Sequence, residues 1–237
     1  LLDPVYKAYT KDLCGYAERG EKEWKRLLGS FFAEGVNIAV VKNDEGQIEG
    51  YAVYRLGAPE IPVTEFVYTT RRAQRGLLNY FYNHRSQGES IRWNEGLHDT
   101  GYRFVPDGKT GHTTMPYMMA RIVDVETALT TVPVNPEAVM MPITLNIKVT
   151  DTLCDWNNGV FALTLGESTL PNVKRVSAES VDEIDITIDI GGLTVLLMGA
   201  VSAKDLVFEG KLQGESHWID YLDMVYPKQN TYINEWW

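Results

Sequence analysis

A chain of 237 residues with 44% hydrophobic and 11% aromatic side chains is long and apolar enough for one or two cores. It has no run of about 18 apolar residues, no signal-peptide pattern at Leu1-Leu2-Asp3-Pro4 and no CxxC around Cys14 or Cys154, so neither a membrane span, a secretory leader nor a disulfide framework is expected. Residues 1–115 carry 15 acidic and 15 basic side chains and residues 116–237 carry 17 and 7, so the second half supplies the whole net charge of −10. This sign excludes a nucleic-acid surface and suits cationic partners such as amines, or plain solubility.

Residues 4–33 predict two helices. Val5, Tyr6, Tyr9, Leu13 and Tyr16 recur at helical spacing, and Trp24, Leu27, Leu28, Phe31 and Phe32 form a second stripe. Asn37 to Val41, the turn Asn43-Asp44-Glu45-Gly46 and Ile48 to Leu56 read as a hairpin, with Ile61 to Tyr68 as a third strand. A helix is expected from Arg72 to His84, with Leu77, Leu78 and Phe81 facing inward, and then a short strand from Ser90 to Trp93. His98, Asp99 and His112 belong to a polar loop. At the midpoint Tyr117 to Val123 reads as an apolar strand, and Asp124 starts a helix with Val125, Ala128 and Leu129 on one face. The change of character there sets the expected domains, 1–115 and 116–237.

Pro133, Pro136 and Pro142 mark a linker-like passage. Ile143 to Val149 alternates as a strand, Asp151-Thr152 turns it, and Gly159 to Leu165 forms another. Asp155-Trp156-Asn157-Asn158-Gly159 has Asn-Gly turn chemistry and lacks EF-hand ligand spacing. From Asp182 to Ile190 isoleucines face one way, and Asp185, Thr187 and Asp189 the other. This acidic row suits a solvated or edge face, or a cation. Gly191-Gly192 ends that strand, Leu193 to Met198 is a helix closed by Gly199, and Ser202-x-x-Asp205 is a capping box for a helix stopped by Gly210. The tail is aromatic to its last residue, which on the plainest reading is a strand closing the core. The four histidines have no metal-ligand spacing, and no GxSxG, Walker or dinucleotide motif occurs, so no metal is expected.

The run Met118-Met119-Ala120-Arg121-Ile122-Val123-Asp124 resembles the opening of the C-terminal domain in the enhanced-intracellular-survival (Eis) family of GNAT acetyltransferases. Leu1 to Tyr6 with Arg19 and Trp24, Ile186 to Leu193 running on to Gly199–Ala203, and Tyr232 to Trp237 resemble the same family. The resemblance implies an α+β fold. Residues 1–115 would be a second, degenerate GNAT-like domain with a mixed sheet and helices, and 116–237 a smaller α/β domain of sterol-carrier-protein type. The catalytic first domain would be absent, and the chain would be the C-terminal part of an acetyl-CoA-dependent N-acetyltransferase acting on aminoglycosides, polyamines or lysine.

GNAT domains hold the cofactor's pyrophosphate on bare N–H groups of a Gln/Arg-x-x-Gly-x-Gly/Ala turn. Here Arg71-Arg72-Ala73-Gln74-Arg75-Gly76 puts Gln74 at the first glycine position and keeps only Gly76. Acetyl-CoA is therefore expected on the missing domain and not here, and this chain alone is expected to be inactive. In the family the terminal carboxylate, here that of Trp237, helps deprotonate the substrate amine. An α-carboxylate titrates near ~3.5 in water, and packing among indole rings would raise it. Trp236 and Glu235 are the candidate substrate-binding neighbours. The resemblance further implies a cationic amine substrate, a homo-oligomer (a hexamer in the family) and a cytoplasmic location, without nucleic-acid or membrane partners. The alternative is a non-enzymatic lipid- or sterol-binding or oligomerisation module.

Overall fold

The structure, a computed structural model, describes residues 1–99, 101–104, 110–115, 118–166 and 168–235, the side chains of Phe32, Ala33, Tyr102 and Phe104 excepted. The chain divides into two compact units. One is Leu1–Thr114 joined by the tail from Asn230; the other is Met115–Gln229. The tail, grouped by sequence with the second half, therefore belongs to the first unit.

In the first unit Asp3–Thr10 (α1) and Glu21–Ala33 (α2) precede strands Asn37–Lys42 (β1), Ile48–Tyr54 (β2) and Glu60–Tyr68 (β3). Helix Arg71–Asn83 (α3) and strand Ser90–Trp93 (β4) follow. The sheet order is β1-β2-β3-β4, antiparallel except for the parallel β3–β4 pair, so α3 is its crossover connection. Alternation along β2 sends Tyr51 and Val53 toward Val5, Tyr6 and Trp24 of α1 and α2, and Ala52 and Tyr54 toward Leu77 and Phe81 of α3. Helix α1 stops at Thr10 although its spacing continues to Tyr16, because Cys14 is drawn into a parallel bridge with Thr231.

The second unit contains Val125–Thr131 (α4), Ile143–Thr150 (β5), Gly159–Leu165 (β6), Asn172–Val176 (β7), Ile186–Asp189 (β8), Ile190–Leu197 (α5), Ala203–Phe208 (α6), Leu212–Gly214 (β9) and Ser216–Val225 (α7). Its sheet runs β7-β6-β5-β8-β9, with β5 and β8 parallel. Leu145, Ile147, Leu163, Leu165, Ile186 and Ile188 fill the covered face, together with Leu193, Leu196 and Leu206 of α5 and α6. The capping box at Ser202 forms with both bonds, and Gly199 and Gly210 take positive φ where helices end.

Two expectations are corrected here. Residues 118–123 form no strand: Met118, Met119 and Val123 are exposed. The Val123 carbonyl accepts from Trp156 Nε1 at 2.8 Å and Asn157 Nδ2 at 3.2 Å, and the Ile122 N–H donates to Thr194 Oγ1 at 3.2 Å. An apolar run reads alike in sequence whether a ladder or scattered side chains satisfy its backbone; Tyr117 lies outside the described residues. The acidic row of Asp182–Ile190 is not at an edge, and its Asp185 and Asp189 are half-buried. The strand spans only Ile186–Asp189, between β5 and β9; Asp185 accepts from the Asn146 N–H at 2.7 Å, and Asp189 caps α5 through the Gly192 N–H at 2.6 Å. That cap starts the helix at Ile190, so Gly191 and Gly192 lie in its first turn. No described helix is long and apolar enough to cross a membrane.

Candidate functional site

Strand β3 breaks its own alternation. Val63 pairs with Tyr54 and Glu65 with Val53, leaving Thr64 as the extra residue of a bulge. Bulges re-aim side chains. This one turns Glu65 away from the α3 side, where strict alternation from Val63 would place it, onto the side of α1 and α2. There Glu65 is buried and accepts from Tyr51 Oη at 2.6 Å and from Arg19 Nη2 and Nη1 at 2.8 and 3.2 Å. Arg19, 6% exposed, has its guanidinium carbon 4.1 Å from the Tyr6 ring centroid and 4.9 Å from that of Trp24. Burial alone would lower the Arg19 pKa; the Glu65 charge and hydrogen bond more than offset it and hold the guanidinium above its ordinary range. Burial also pushes the Tyr6 hydroxyl up to about 12.

The second carboxylate on Arg19 comes from the other end of the chain. Arg19 Nε donates to Glu235 Oε1 at 2.7 Å and Nη2 lies 2.6 Å from the same oxygen, across 216 residues of sequence. The bulge serves this contact twice, since the Thr64 carbonyl accepts from Asn234 Nδ2 at 2.6 Å. Upstream, the Cys14 N–H donates to the Asn230 carbonyl and the Tyr232 N–H to the Cys14 carbonyl, both at 2.9 Å. The Tyr232 ring is buried, edge-on to Tyr9. A cavity of about 280 Å³ adjoins the cluster, with Glu34, Arg55, Glu65, Asn234 and Glu235 among its lining residues.

Of the three site residues named from sequence, Glu235 is thus placed against Arg19, while Trp236 and Trp237 lie outside the described residues. The sequence singles out Arg19 only through the resemblance and assigns Glu65 no role. The available signal was a charged residue inside an apolar strand, just where Phe66-Val67 breaks the period of two.

The start of α3 is equally specific. Thr70 caps it, accepting from the Ala73 N–H at 3.1 Å, and donates to Glu49 Oε2 at 3.0 Å. Arg72 Nη2 reaches the same Glu49 oxygen at 2.8 Å. A carboxylate of the chain therefore supplies negative charge where a helix N-terminus attracts anions. Gly76 serves packing, since a Cβ there would meet Val41 Cγ2 at 3.1 Å. Gln74 is buried.

Asp99, read as a loop residue, is also buried. It accepts from Tyr68 Oη at 2.6 Å and the Gly101 N–H at 2.8 Å. Beside it Glu95 accepts from Trp93 Nε1 and pairs with His112 Nε2 at 3.2 Å. Its pKa is raised, chiefly by burial. No group of His, Cys, Asp and Glu among the described residues could hold a metal ion.

Residues 15–122 match the acetyltransferase (GNAT) domain family, and residues 125–234 match the sterol carrier protein domain family. No curated protein matches the chain. Among solved structures, a conserved protein of unknown function from Enterococcus faecalis, described as a probable N-acyltransferase, is 25% identical. It aligns with a TM-score of 0.83 over 99% of this chain and 59% of its own. A GCN5-related N-acetyltransferase from Anabaena variabilis shares the fold at 18% identity and TM-score 0.79, over 100% of this chain and 59% of its own. Eis1 from Mycobacterium abscessus does so at 19% identity and TM-score 0.66, over 98% and 59%. The chain spans about 59% of the length of these proteins. It carries a GNAT acetyltransferase domain followed by a sterol-carrier-protein-like domain.

Proposed function

We propose that these residues form the C-terminal part of an Eis-like, acetyl-CoA-dependent N-acetyltransferase acting on amines. The observation that carries this reading is coverage: nearly the whole chain superposes on a probable N-acyltransferase while accounting for 59% of it. In this reading a preceding GNAT domain holds acetyl-CoA and hosts the chemistry. Acetyl-CoA held there would supply the acetyl group to a neutral amine, giving the amide and the CoA thiol, with the thiol's proton supplied by a general acid of that domain. The carboxylate of Trp237 takes the amine's proton, Trp236 lies beside the substrate, and Glu235 holds the tail in place. The substrate class is a polyamine, aminoglycoside or lysine, and the net charge of −10 favours such cations. Homo-oligomers, a hexamer among them, and a cytoplasmic location complete the proposal.

The start of α3 supports placing the cofactor elsewhere, because Thr70 already takes the Ala73 N–H and the Glu49 carboxylate already pairs with Arg72 beside it. Calorimetric titration of acetyl-CoA into the 237-residue chain tests this. No saturable heat at high micromolar cofactor, and no release of CoA thiol in the presence of spermine or lysine, is the expected result. Saturable micromolar binding would instead make this chain an acetyltransferase in its own right. The match of residues 125–234 to sterol carrier proteins favours a second reading, a lipid-binding module. It predicts that a fluorescent fatty acid binds the chain and is displaced by sterol.

A further inference from the structure

The tail is held by contacts of two kinds. Backbone pairing at Cys14 fixes Asn230 to Tyr232, and polar side chains fix Asn234 and Glu235. The second kind depends on Arg19, whose fork bridges two carboxylates that have no sequence relation to each other. Glu65 is presented by the Thr64 bulge, and Glu235 stands two residues before the chain's last residue. A guanidinium can do this because its planar donors address separate acceptors at once, and the rings of Tyr6 and Trp24 fix its plane. A buried ion pair of this kind adds little net stability over hydrocarbon, but it discriminates strongly against arrangements that leave a charge unpaired. Its consequence is one path for the tail.

We infer that Arg19 is a positioning residue. By bridging Glu65 and Glu235 it fixes in the first unit the residue after which Trp236 and the candidate carboxylate of Trp237 follow in sequence. The inference rests on the catalytic reading of that carboxylate for its meaning, but the anchoring can be tested without it.

The test compares the wild-type chain with Arg19→Met and Glu235→Gln by timed carboxypeptidase digestion and by hydrogen exchange resolved to the tail. Glu235→Gln leaves Arg19, Glu65 and Tyr51 in place, so it reads the tail contact even if Arg19→Met does not fold. In the wild type, digestion is expected to go no further than Glu235. In both variants it should run on toward Asn230, and in Glu235→Gln, which keeps the Arg19–Glu65 pair, exchange at residues 231–235 should quicken on the order of a hundredfold while β2 keeps its protection. A merely structural role would instead quicken exchange throughout the first unit. Digestion and exchange identical to wild type in Glu235→Gln, or a uniform rise across the unit, would overturn the inference. If the clamp holds the tail as described, yet deleting Trp237 from a longer, active polypeptide leaves amine acetylation unchanged, the anchoring stands and the catalytic reading falls.

Discussion

In the first unit, the side of the sheet under α1 and α2 closes over charge. Arg19, Glu65 and Glu235 lie among Tyr6, Trp24 and Tyr51. In the second unit, the covered side of the sheet is a cluster of hydrocarbon, including Leu145, Leu163, Ile186 and Leu196, and the main buried carboxylate, Asp151, is satisfied from nearby. Asp151 accepts from the Leu153 and Cys154 N–H groups and from Asn157 and Arg121. Hydrocarbon burial is non-directional and stabilises whatever packs, so it suits a core that need not recruit one particular distant segment. Paired buried charge contributes little net stability but penalises wrong partners, so it suits a contact that must recruit one particular distant segment. The first unit uses charge where the second uses volume.

The comparison breaks most visibly if Arg19 is removed. Arg19→Met leaves two carboxylates buried without their cation and should destabilise the first unit by about 3–5 kcal/mol, read by denaturant unfolding. Should the loss stay below ~1 kcal/mol, the cluster would behave as a surface pair, and the contrast between the units would fail. Leu163→Ala is the counterpart in the second unit. A fully buried leucine between β5 and β7 should cost roughly 2–5 kcal/mol through lost transfer energy and a cavity, with exchange in the first unit unaltered.

Asp151 sharpens the contrast through pH. Burial alone would raise its pKa, but Asn157, the Leu153 and Cys154 amides and Arg121 outweigh burial and hold the carboxyl below the usual range. A depressed folded-state pKa contributes stability that is complete above the unfolded value, near ~3.9, and is lost as pH falls through the folded value. The urea midpoint of the second unit should therefore drop between about pH 5 and pH 2, and Asp151→Asn should flatten that limb while lowering the midpoint at neutral pH. An unchanged acid limb in the variant would count against this assignment. Smallest are the caps: Ser202→Ala on α6 and Thr70→Ala on α3 should each cost about 1 kcal/mol, visible as a shift in thermal midpoint.

Much of the local structure was legible before the fold. The hairpin around Asn43–Gly46, strand β3, helix α3 and the hairpin of β5 and β6 follow from periods of two or 3.6 and from turn residues. Strands β7 and β9 were not read: Lys174 and Arg175 sit mid-strand in one, and the other is three residues long. Helix α7 was read only as part of an aromatic tail. The candidate site was less legible. Glu235 was named for a substrate, but its described partner is Arg19, and Asp99 looked like a loop residue although Tyr68 and the Gly101 amide converge on it.

What the sequence determined by itself was set within a few residues: most helix and strand periods, the capping box at Ser202 and the glycines that stop helices. Tertiary structure alone decided that residues 118–123 stay outside the sheet, that β8 is interior, that Thr64 bulges, and that residues 230–235 pack in the first unit. The reason is range. Local choices are set by steric and hydrogen-bonding preferences between neighbours, whereas Arg19 and Glu235, 216 residues apart in sequence, come within 2.7 Å only in the folded chain.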